Sequence, residues 1–304
     1  MVARLGQTRM LIIVGLVIVL GSVVGGYLMA GGNLLVLNQP SEFIVIGGAA
    51  IGSLVISTPA AVLKAIVAQI KAAMGSGFSK ADYVDLLSLL YLVFKQVQQS
   101  GVMSLEAHFE DPSKSPILSR YPKFLSRHEA VDFLADSAKV IIVGGIAAHD
   151  LEALMDEDLK VHHDEALRPS AVLTKIGDAL PGLGIVAAVL GVVITMGHID
   201  GPVEEIGHHV GAALIGTFLG ILLSYGVVQP VAQSLEQRVG DDQYYCLCIK
   251  AGLLAVYKGN PPAIAVEFAR RVLPHTVRPS FNETEQFCRA ATKAPDKSAD
   301  AAAA

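Results

Sequence analysis

The sequence predicts an all-α integral membrane protein with four transmembrane helices, a large helical cytoplasmic domain between helices 2 and 3, and a C-terminal cytoplasmic helical segment. The composition, 52% hydrophobic and 17% charged over 304 residues, indicates a membrane part together with a substantial water-exposed part. Crossing a hydrocarbon core about 30 Å thick takes about 20 helical residues. Four stretches without Asp, Glu, Lys or Arg are long enough to do so: Met10–Ser41, Phe43–Leu63, Ala179–Ile199 and Ile206–Leu235.

The distribution of Lys and Arg predicts the orientation. The segment Gly31–Ser41 and the loop His198–His209 contain neither residue. By contrast, Arg4 and Arg9 precede the first span, many basic residues lie between the second and third, and more follow the fourth from Arg238 onwards. Because basic residues concentrate on the cytoplasmic side, both termini are expected in the cytoplasm.

The predicted limits of the segments follow from these runs. They are a cytoplasmic N-terminus at 1–9, transmembrane helices at 10–30, 43–63, 179–199 and 208–233, a cytoplasmic domain at 64–176, C-terminal helices at 236–291 and a disordered tail at 292–304. In the cytoplasmic parts no alternating pattern predicts a strand. Apolar periodicity instead predicts a helix from the capping residue Ser79 to Gly101, and further helices over His128–Ala148, Asp150–Leu167, Asp241–Tyr257 and Pro261–Leu273.

The predicted spans contain small residues four apart but no titratable group deep within them. Pairs such as Gly184/Ala188 and Gly216/Gly220 allow helix backbones to approach closely. Ion pathways usually use a membrane-embedded carboxylate, lysine or histidine, whereas the mid-span polar groups here are hydroxyls. If the protein conducts ions, we therefore expect another chain to bring the titrating group.

Two prolines are candidate sites of motion. Pro181 lies near the cytoplasmic start of the third span, and Pro230 lies near the cytoplasmic end of the fourth. Each lacks a backbone N–H, so the carbonyl four residues earlier, that of Gly177 or Gly226, loses its helical partner. The prolines mark either ordinary kinks or a lever between the membrane helices and the cytoplasmic domain.

Composition and motifs argue against several other classes. A net charge of −5 without a basic stripe argues against a nucleic-acid partner. The C-x-C of Cys246 and Cys248 lacks a second ligand pair, and paired histidines such as His162-His163 are expected to be solvated, so no metal is expected. No nucleophile–base pair, phosphate-binding loop or HExxH-type motif predicts an enzyme or a cofactor.

Several motifs resemble the MotA family, the stator subunits of the flagellar motor. The run Ala213–Leu222, followed by Pro230, is similar to the fourth span of that family, and Gly177–Val193 resembles the third. The resemblance covers roughly residues 10–286 and includes Gly25–Gly32, Leu154–Leu159 and Pro261–Phe268.

The resemblance implies a location in the bacterial inner membrane, a partner, an assembly and an ion path. A pentamer of such subunits surrounds two copies of a MotB-type partner, which supplies the membrane aspartate and anchors to peptidoglycan. Ion flow turns the ring, whose cytoplasmic domains push the rotor protein FliG. Pro181 and Pro230 match the family prolines that couple ion flow to movement. Thr217 matches the pore-facing threonine, and Ala188 and Tyr225 are expected to line the same path.

The identity of the coupling ion is inferred from one residue position in the third span. Sodium-driven relatives carry a threonine where this chain has Ala188. Without that hydroxyl, the path loses one of the hard oxygen ligands that a metal cation needs. Protons are therefore expected as the coupling ion, and sodium is the less favoured alternative.

At the rotor contact the chain departs from the family. The family uses an arginine and a glutamate there. Glu106 matches the glutamate, but the arginine position holds Gln98. Lys95 lies about one helical turn earlier on the same face and is a candidate substitute, although it offers a point charge rather than a bidentate fork.

The main alternative is the ExbB/TolQ class of proton-channel subunits, which energise outer-membrane transport. Members of that class have three spans and an external N-terminus. Two predicted spans before the large internal segment argue against it.

Overall fold

The structure, a computed structural model, describes residues 7–73 and 77–293. Every regular element within these ranges is a helix, which confirms the predicted fold class. The start of the predicted N-terminus and most of the predicted tail lie outside the described residues. By length and composition, four described helical segments can cross a membrane or contain a stretch that can: Leu11–Met29, Leu34–Ser57, Ala148–Met196 and His209–Tyr257.

The first eight helices range in length from 4 to 23 residues. They are α1 (Gln7–Met29), α2 (Leu34–Leu37), α3 (Pro40–Ser57), α4 (Ala60–Ala73), α5 (Lys80–Ser100), α6 (Glu106–Glu110), α7 (Pro122–Leu125) and α8 (His128–Val143). Two short 3-10 helices, Val102–Leu105 and Leu118–Arg120, precede α6 and α7.

The remaining helices include two much longer ones. They are α9 (Ala148–Met196), α10 (Val203–Leu223), a π-helical turn (Ser224–Val228), α11 (Gln229–Tyr257), α12 (Pro262–Arg271) and α13 (Phe281–Lys293). The structure thus extends α13 through Lys293, two residues into the predicted tail.

The chain folds as two compact units. The first, which we call the membrane unit, is Met1–Gly77 with Glu165–Val239; the second, the domain unit, is Phe78–Asp164 with Gly240–Ala304. The domain unit is therefore shorter at both ends than the predicted 64–176, because α4 and the residues after Glu165 pack in the membrane unit. One such contact joins Gln69 Nε2 of α4 to the carbonyl oxygen of Ala166 at 2.9 Å.

The membrane unit has a small buried apolar core, and most of its apolar surface is exposed within the single chain. Three of its helices meet at Ile46, Ala50, Leu180, Ala187, Ile215 and Leu219. None of the apolar window of α1 is buried within the chain. This surface is suited to contact lipid or other chains rather than water.

The second span is interrupted where the sequence analysis expects it to continue. The predicted run reaches Leu63, but α3 ends at Ser57 and α4 begins at Ala60. Pro59 disfavours the helical conformation for the residue before it. Thr58 is accordingly extended, with φ −130° and ψ 126°.

The predicted helix Asp150–Leu167 and the predicted third span form one continuous helix, α9, of 49 residues. Pro169 lies inside it without ending it. Near the proline, the carbonyl of Leu167 accepts a hydrogen bond from Ser170 Oγ at 2.8 Å, and that of Ala166 accepts one from Gln69 Nε2 at 2.9 Å. The fourth span likewise continues through the π turn into α11.

The domain unit has the larger apolar core. Helix α5 supplies its centre and begins, as predicted, at Ser79, whose hydroxyl accepts from the backbone N–H of Asp82 in a capping box. Gly101 ends the helix with φ +78°, a conformation that favours glycine. The fully buried side chains of this core include Tyr83, Leu86, Leu90, Phe94, Leu134, Leu151 and Met155.

Helix α13 lies on α5 and was not predicted as a separate element. Its own capping box consists of Ser280 and Glu283, because the N–H of Ser280 donates to Glu283 Oε2 at 2.7 Å and the N–H of Glu283 donates to Ser280 Oγ at 3.2 Å. Lys80 of α5 pairs with Glu283 at 2.9 Å. The S-x-x-E spacing at 280–283 was the sequence signal for this helix.

Candidate ion path and coupling site

A seam of glycines brings α9 and α10 into backbone contact. A Cβ added to Gly184 would lie 2.8 Å from the carbonyl oxygen of Gly216, and one added to Gly220 would lie 2.6 Å from that of Leu180. No side chain fits at these separations, so the seam depends on residues without one. Gly207 and Gly211 on α10 meet nothing within 4 Å, so the small-residue spacing there has no role within this chain.

Two of the predicted path residues lie along this seam. The backbone nitrogen of Ala188 would be 3.1 Å from a Cβ on Gly216, the neighbour of Thr217. The Cα of Thr217 would in turn be 3.3 Å from a Cβ on Gly184. Ala188 and Thr217 are both partly exposed within the single chain. The structure therefore brings the two together at one level of the membrane unit.

A carboxylate that the sequence analysis missed lies at the same level. Glu42, in the first turn of α3, is only 7% exposed. Its Oε2 would be 2.6 Å from a Cβ on Gly216 and has no hydrogen-bond partner among the described residues. The sequence analysis places Glu42 just outside the predicted second span, whereas in the structure this residue near a helix end extends its side chain into the bundle. The sequence signal was that Glu42 is the one charged residue between Met10 and Leu63.

The two proline sites also meet. Gly177 is the residue whose carbonyl loses its helical partner at Pro181, and Gln229 directly precedes Pro230. A Cβ on Gly177 would lie 2.8 Å from Gln229 Cγ. Gln229 Nε2 donates to Asp178 Oδ1 at 2.8 Å. The residue whose carbonyl Pro181 leaves free therefore lies beside the residue that precedes Pro230.

The π turn before Pro230 is a local consequence of the proline. Because Pro230 has no N–H to donate to Gly226, the helix widens by one residue, and the N–H of Gln229 donates to the carbonyl of Ser224 instead. Ser224 is fully buried, and its hydroxyl has no partner among the described residues. Tyr225 lies on the same turn, 62% exposed and two helical turns along the chain from Thr217.

The predicted rotor-contact residues lie on either side of one turn in the domain unit. Lys95 and Gln98 are near the end of α5, and Glu106 begins α6 after the reversal at Gly101. Gln98 and Glu106 are exposed and Lys95 is half-buried. Within the part of the chain that the structure describes, neither Lys95 nor Glu106 has an ion-pair partner. Both charges are therefore available to another molecule.

Four apolar spans, a glycine seam and a helical domain inserted between the second and third spans define a multi-pass membrane protein. Residues 13–101 match the family model described as Motility protein A N-terminal, and residues 126–244 match the MotA/TolQ/ExbB proton channel family. Motility protein A of Escherichia coli (strain K12) is 44% identical over 285 residues, which cover 92% of this chain and 96% of that relative. The chain belongs to the motility protein A family.

More distant comparisons agree in sequence and in fold. The chemotaxis protein LafT of Vibrio parahaemolyticus is 36% identical, with 90% of this chain and 96% of the relative covered. The fold matches the C. jejuni MotAB structure with a TM-score of 0.72 at 19% identity, covering 88% of this chain and 96% of the other. It matches the Bacillus subtilis MotAB stator complex with a TM-score of 0.67 at 21% identity, covering 88% and 97%.

Proposed function

We propose that this chain is a stator subunit of the bacterial flagellar motor, which together with a MotB-type partner forms a proton channel and converts ion flow into torque. The observation that carries this proposal is 44% identity to a motility protein A over nearly the whole of both chains. The four membrane spans and the prolines Pro181 and Pro230 are consistent with the same function. Membership of the MotA/TolQ/ExbB proton channel family makes it a component of a proton channel rather than an enzyme.

The partner and the assembly are inferred from surfaces that a single chain leaves uncovered. Several apolar side chains of α9 are about half exposed or more, among them Ile185, Val189 and Val193. Those of α1 are open as well. A pentamer of this chain around two MotB-type helices would cover such faces by apolar packing. The proteins matched in fold are MotAB complexes, which supports a partner of this kind.

The coupling roles follow from the seam and the proline pair. Ala188 and Thr217 would line the path, with Tyr225 further along it. Pro181 and Pro230, joined through Gly177 and Gln229, would transmit a change in the path to the following helices. Glu106 and Lys95, with Gln98 at the family arginine position, would engage the rotor protein FliG. Both termini and the domain unit would be cytoplasmic by the distribution of basic residues.

Protons are proposed as the coupling ion. Ala188 provides only a methyl group where a sodium path would require another oxygen ligand. The swimming speed of cells that depend on this chain should follow the proton motive force and stay constant when sodium is replaced by potassium at fixed pH. Speed that tracks sodium would overturn this part of the proposal.

The function as a whole is tested by complementation. Expressed with its MotB-type partner in a strain without stator genes, the chain should restore swimming and the rotation of tethered cells. The chain without the partner should restore neither. Restored outer-membrane transport in a strain lacking ExbB and TolQ, without restored swimming, would favour the alternative class.

A further inference from the structure

Glu42 is a buried carboxylate in a layer of the membrane unit that is otherwise apolar. It is 7% exposed, and its Oε2 reaches the seam between α9 and α10 at Gly216. A Cβ at Gly216 would also touch Ala187 Cβ and the backbone nitrogen of Ala188, both at 3.1 Å. The carboxylate therefore lies in the layer of the predicted path residues Ala188 and Thr217.

This layer lies well inside the helices. Ala188 is more than two turns, about 10 Å or more, from the end of α9 at Met196, and Gly216 is at least as far from the start of α10 at Val203. Glu42 reaches it from α3, which begins at Pro40. The carboxylate is thus close to the end of its own helix but deep in the bundle formed by the other two.

No other charge accompanies it in this layer. Residues 180–196 of α9 and 211–223 of α10 contain no Asp, Glu, Lys, Arg or His, and neither do α2 or the rest of α3. Along the sequence, the first acidic, basic or histidine residues beyond these stretches are His198 and His209 at one end, with rings stacked at 5.3 Å, and Asp178 at the start of the α9 stretch. Oε2 has no hydrogen-bond partner among the described residues.

A carboxylate in such a place is costly to keep charged and is rarely retained without a role. Burial of an unpaired charge is strongly unfavourable, so the group either takes up a proton or receives a cation or water. Ionisable residues inside membranes typically mark ion pathways. Because only one acid is present and its surroundings are neutral, uptake and release of a proton is the chemistry that the site can perform.

We propose that Glu42 is a proton-relay group of this chain's own, so that the path does not depend solely on an acid brought by the partner. The inference rests on the proposed stator function. In one step the carboxylate takes a proton from a hydronium ion, forming an O–H bond and leaving water. In the next, that bond breaks as the proton passes through water to the acceptor group of the partner, which regenerates the carboxylate.

The test compares Glu42→Gln, Glu42→Asp and wild type, each co-expressed with the MotB-type partner. Proton entry is followed by cytoplasmic acidification, and swimming speed is recorded from pH 5.5 to 8.5. Glu42→Gln keeps the size and shape of the side chain but cannot relay a proton, so it should lose most proton entry and swimming while co-purifying normally with the partner. Glu42→Asp should retain partial flow with a shifted pH dependence. Glu285→Gln, an exposed carboxylate of the domain unit, is the control.

The outcomes separate the two proposals. If wild type conducts and swims but assembled Glu42→Gln does so equally at every pH, the relay is wrong and the stator function stands. If wild type itself neither conducts nor swims, the proposed function fails. If Glu42→Gln does not assemble, Glu42→Asp decides, because an assembled aspartate variant with the wild-type pH profile would show that the carboxylate only packs. Gly216→Ala, whose Cβ would displace Oε2, should reduce flow, whereas Gly211→Ala should not.

Discussion

Gly177 packs directly against Gln229, so that a Cβ on the glycine would lie only 2.8 Å from the glutamine Cγ. Pro181 has no N–H to donate to the carbonyl of Gly177, and Gln229 is the residue just before Pro230. The contact therefore joins the two proline sites. The turns that precede the two prolines are therefore in direct contact within the membrane unit.

The first prediction concerns Pro230. Alanine would restore an N–H that can donate to Gly226, so the π turn over Ser224–Val228 should close into a regular helix. Pro230→Ala is expected to remove most of the swimming speed while proton entry and co-purification with the partner persist. Pro169→Ala, at a proline inside α9 but away from this contact, is the control and should swim nearly normally. Equal swimming in all three strains would contradict a coupling role.

The second prediction concerns the glycine seam. Gly184→Ala would place a Cβ 2.8 Å from the backbone oxygen of Gly216. Overpacking of this kind costs about 1–3 kcal/mol, so a lower melting temperature is expected for the purified protein in detergent.

Gly211→Ala is the matched control for the seam, because it meets nothing within 4 Å on the same pair of helices. It removes the glycine penalty of about 1 kcal/mol in a helix and should be neutral or slightly stabilising. Equal melting temperatures for the two variants would mean that the close approach of α9 and α10 does not contribute to stability.

The third prediction concerns the rotor contact. Glu106→Lys reverses an exposed charge at the start of α6 and should reduce torque while stator assembly persists. Weak exposed charges of this kind are worth about 0–1 kcal/mol each, so a partial loss is expected rather than complete paralysis. The control is Glu110→Lys at the other end of the same helix, which should affect tethered-cell rotation less.

Lys95 and Gln98 refine this prediction. If Lys95 replaces the family arginine, Lys95→Ala should also lower torque, and adding Gln98→Arg should restore it, because a bidentate guanidinium would then stand at the family position. A Lys95→Ala strain with normal torque under high load would remove Lys95 from the contact.

The fourth prediction concerns pH and the attachment of α13 to α5. The backbone N–H of Ser280 and then the ammonium of Lys80 lower the pKa of Glu283 from 4.5 to about 2. A carboxylate whose pKa falls on folding stabilises the folded state above the higher value, and this stabilisation is lost as the pH falls towards the lower one. Glu283→Gln should therefore melt at a lower temperature than wild type at pH 7, with the difference shrinking between about pH 4.5 and 2.

Glu285→Gln is the matched control for this titration. It removes only an exposed pair with Arg289 on the same helix and should shift the melting temperature less. A difference between wild type and Glu283→Gln that stayed constant down to pH 3 would show that the capping box and the bridge to Lys80 are not the cause.

Several features were readable from the sequence because they depend on local chemistry. The apolarity of the spans, the helix start at Ser79 and the helix end at Gly101 each depend on neighbouring residues. The structure accordingly describes four helical segments apolar and long enough to cross a membrane, and a helix capped by Ser79 that ends at Gly101. The effect of a proline on the continuity of a helix was harder to predict. Pro59 lies in a break between α3 and α4, whereas Pro169 lies inside α9 without ending it.

The sequence by itself determined that this is an all-helical membrane protein of the motility protein A family, because span length, charge distribution and motif spacing are properties of the linear chain. Only the tertiary structure decided which of the small residues pack, that the two proline sites touch, and that the side chain of Glu42 enters the bundle. A side chain's surroundings depend on the helices that face it, and Glu42 meets Gly216 across more than 170 residues of chain.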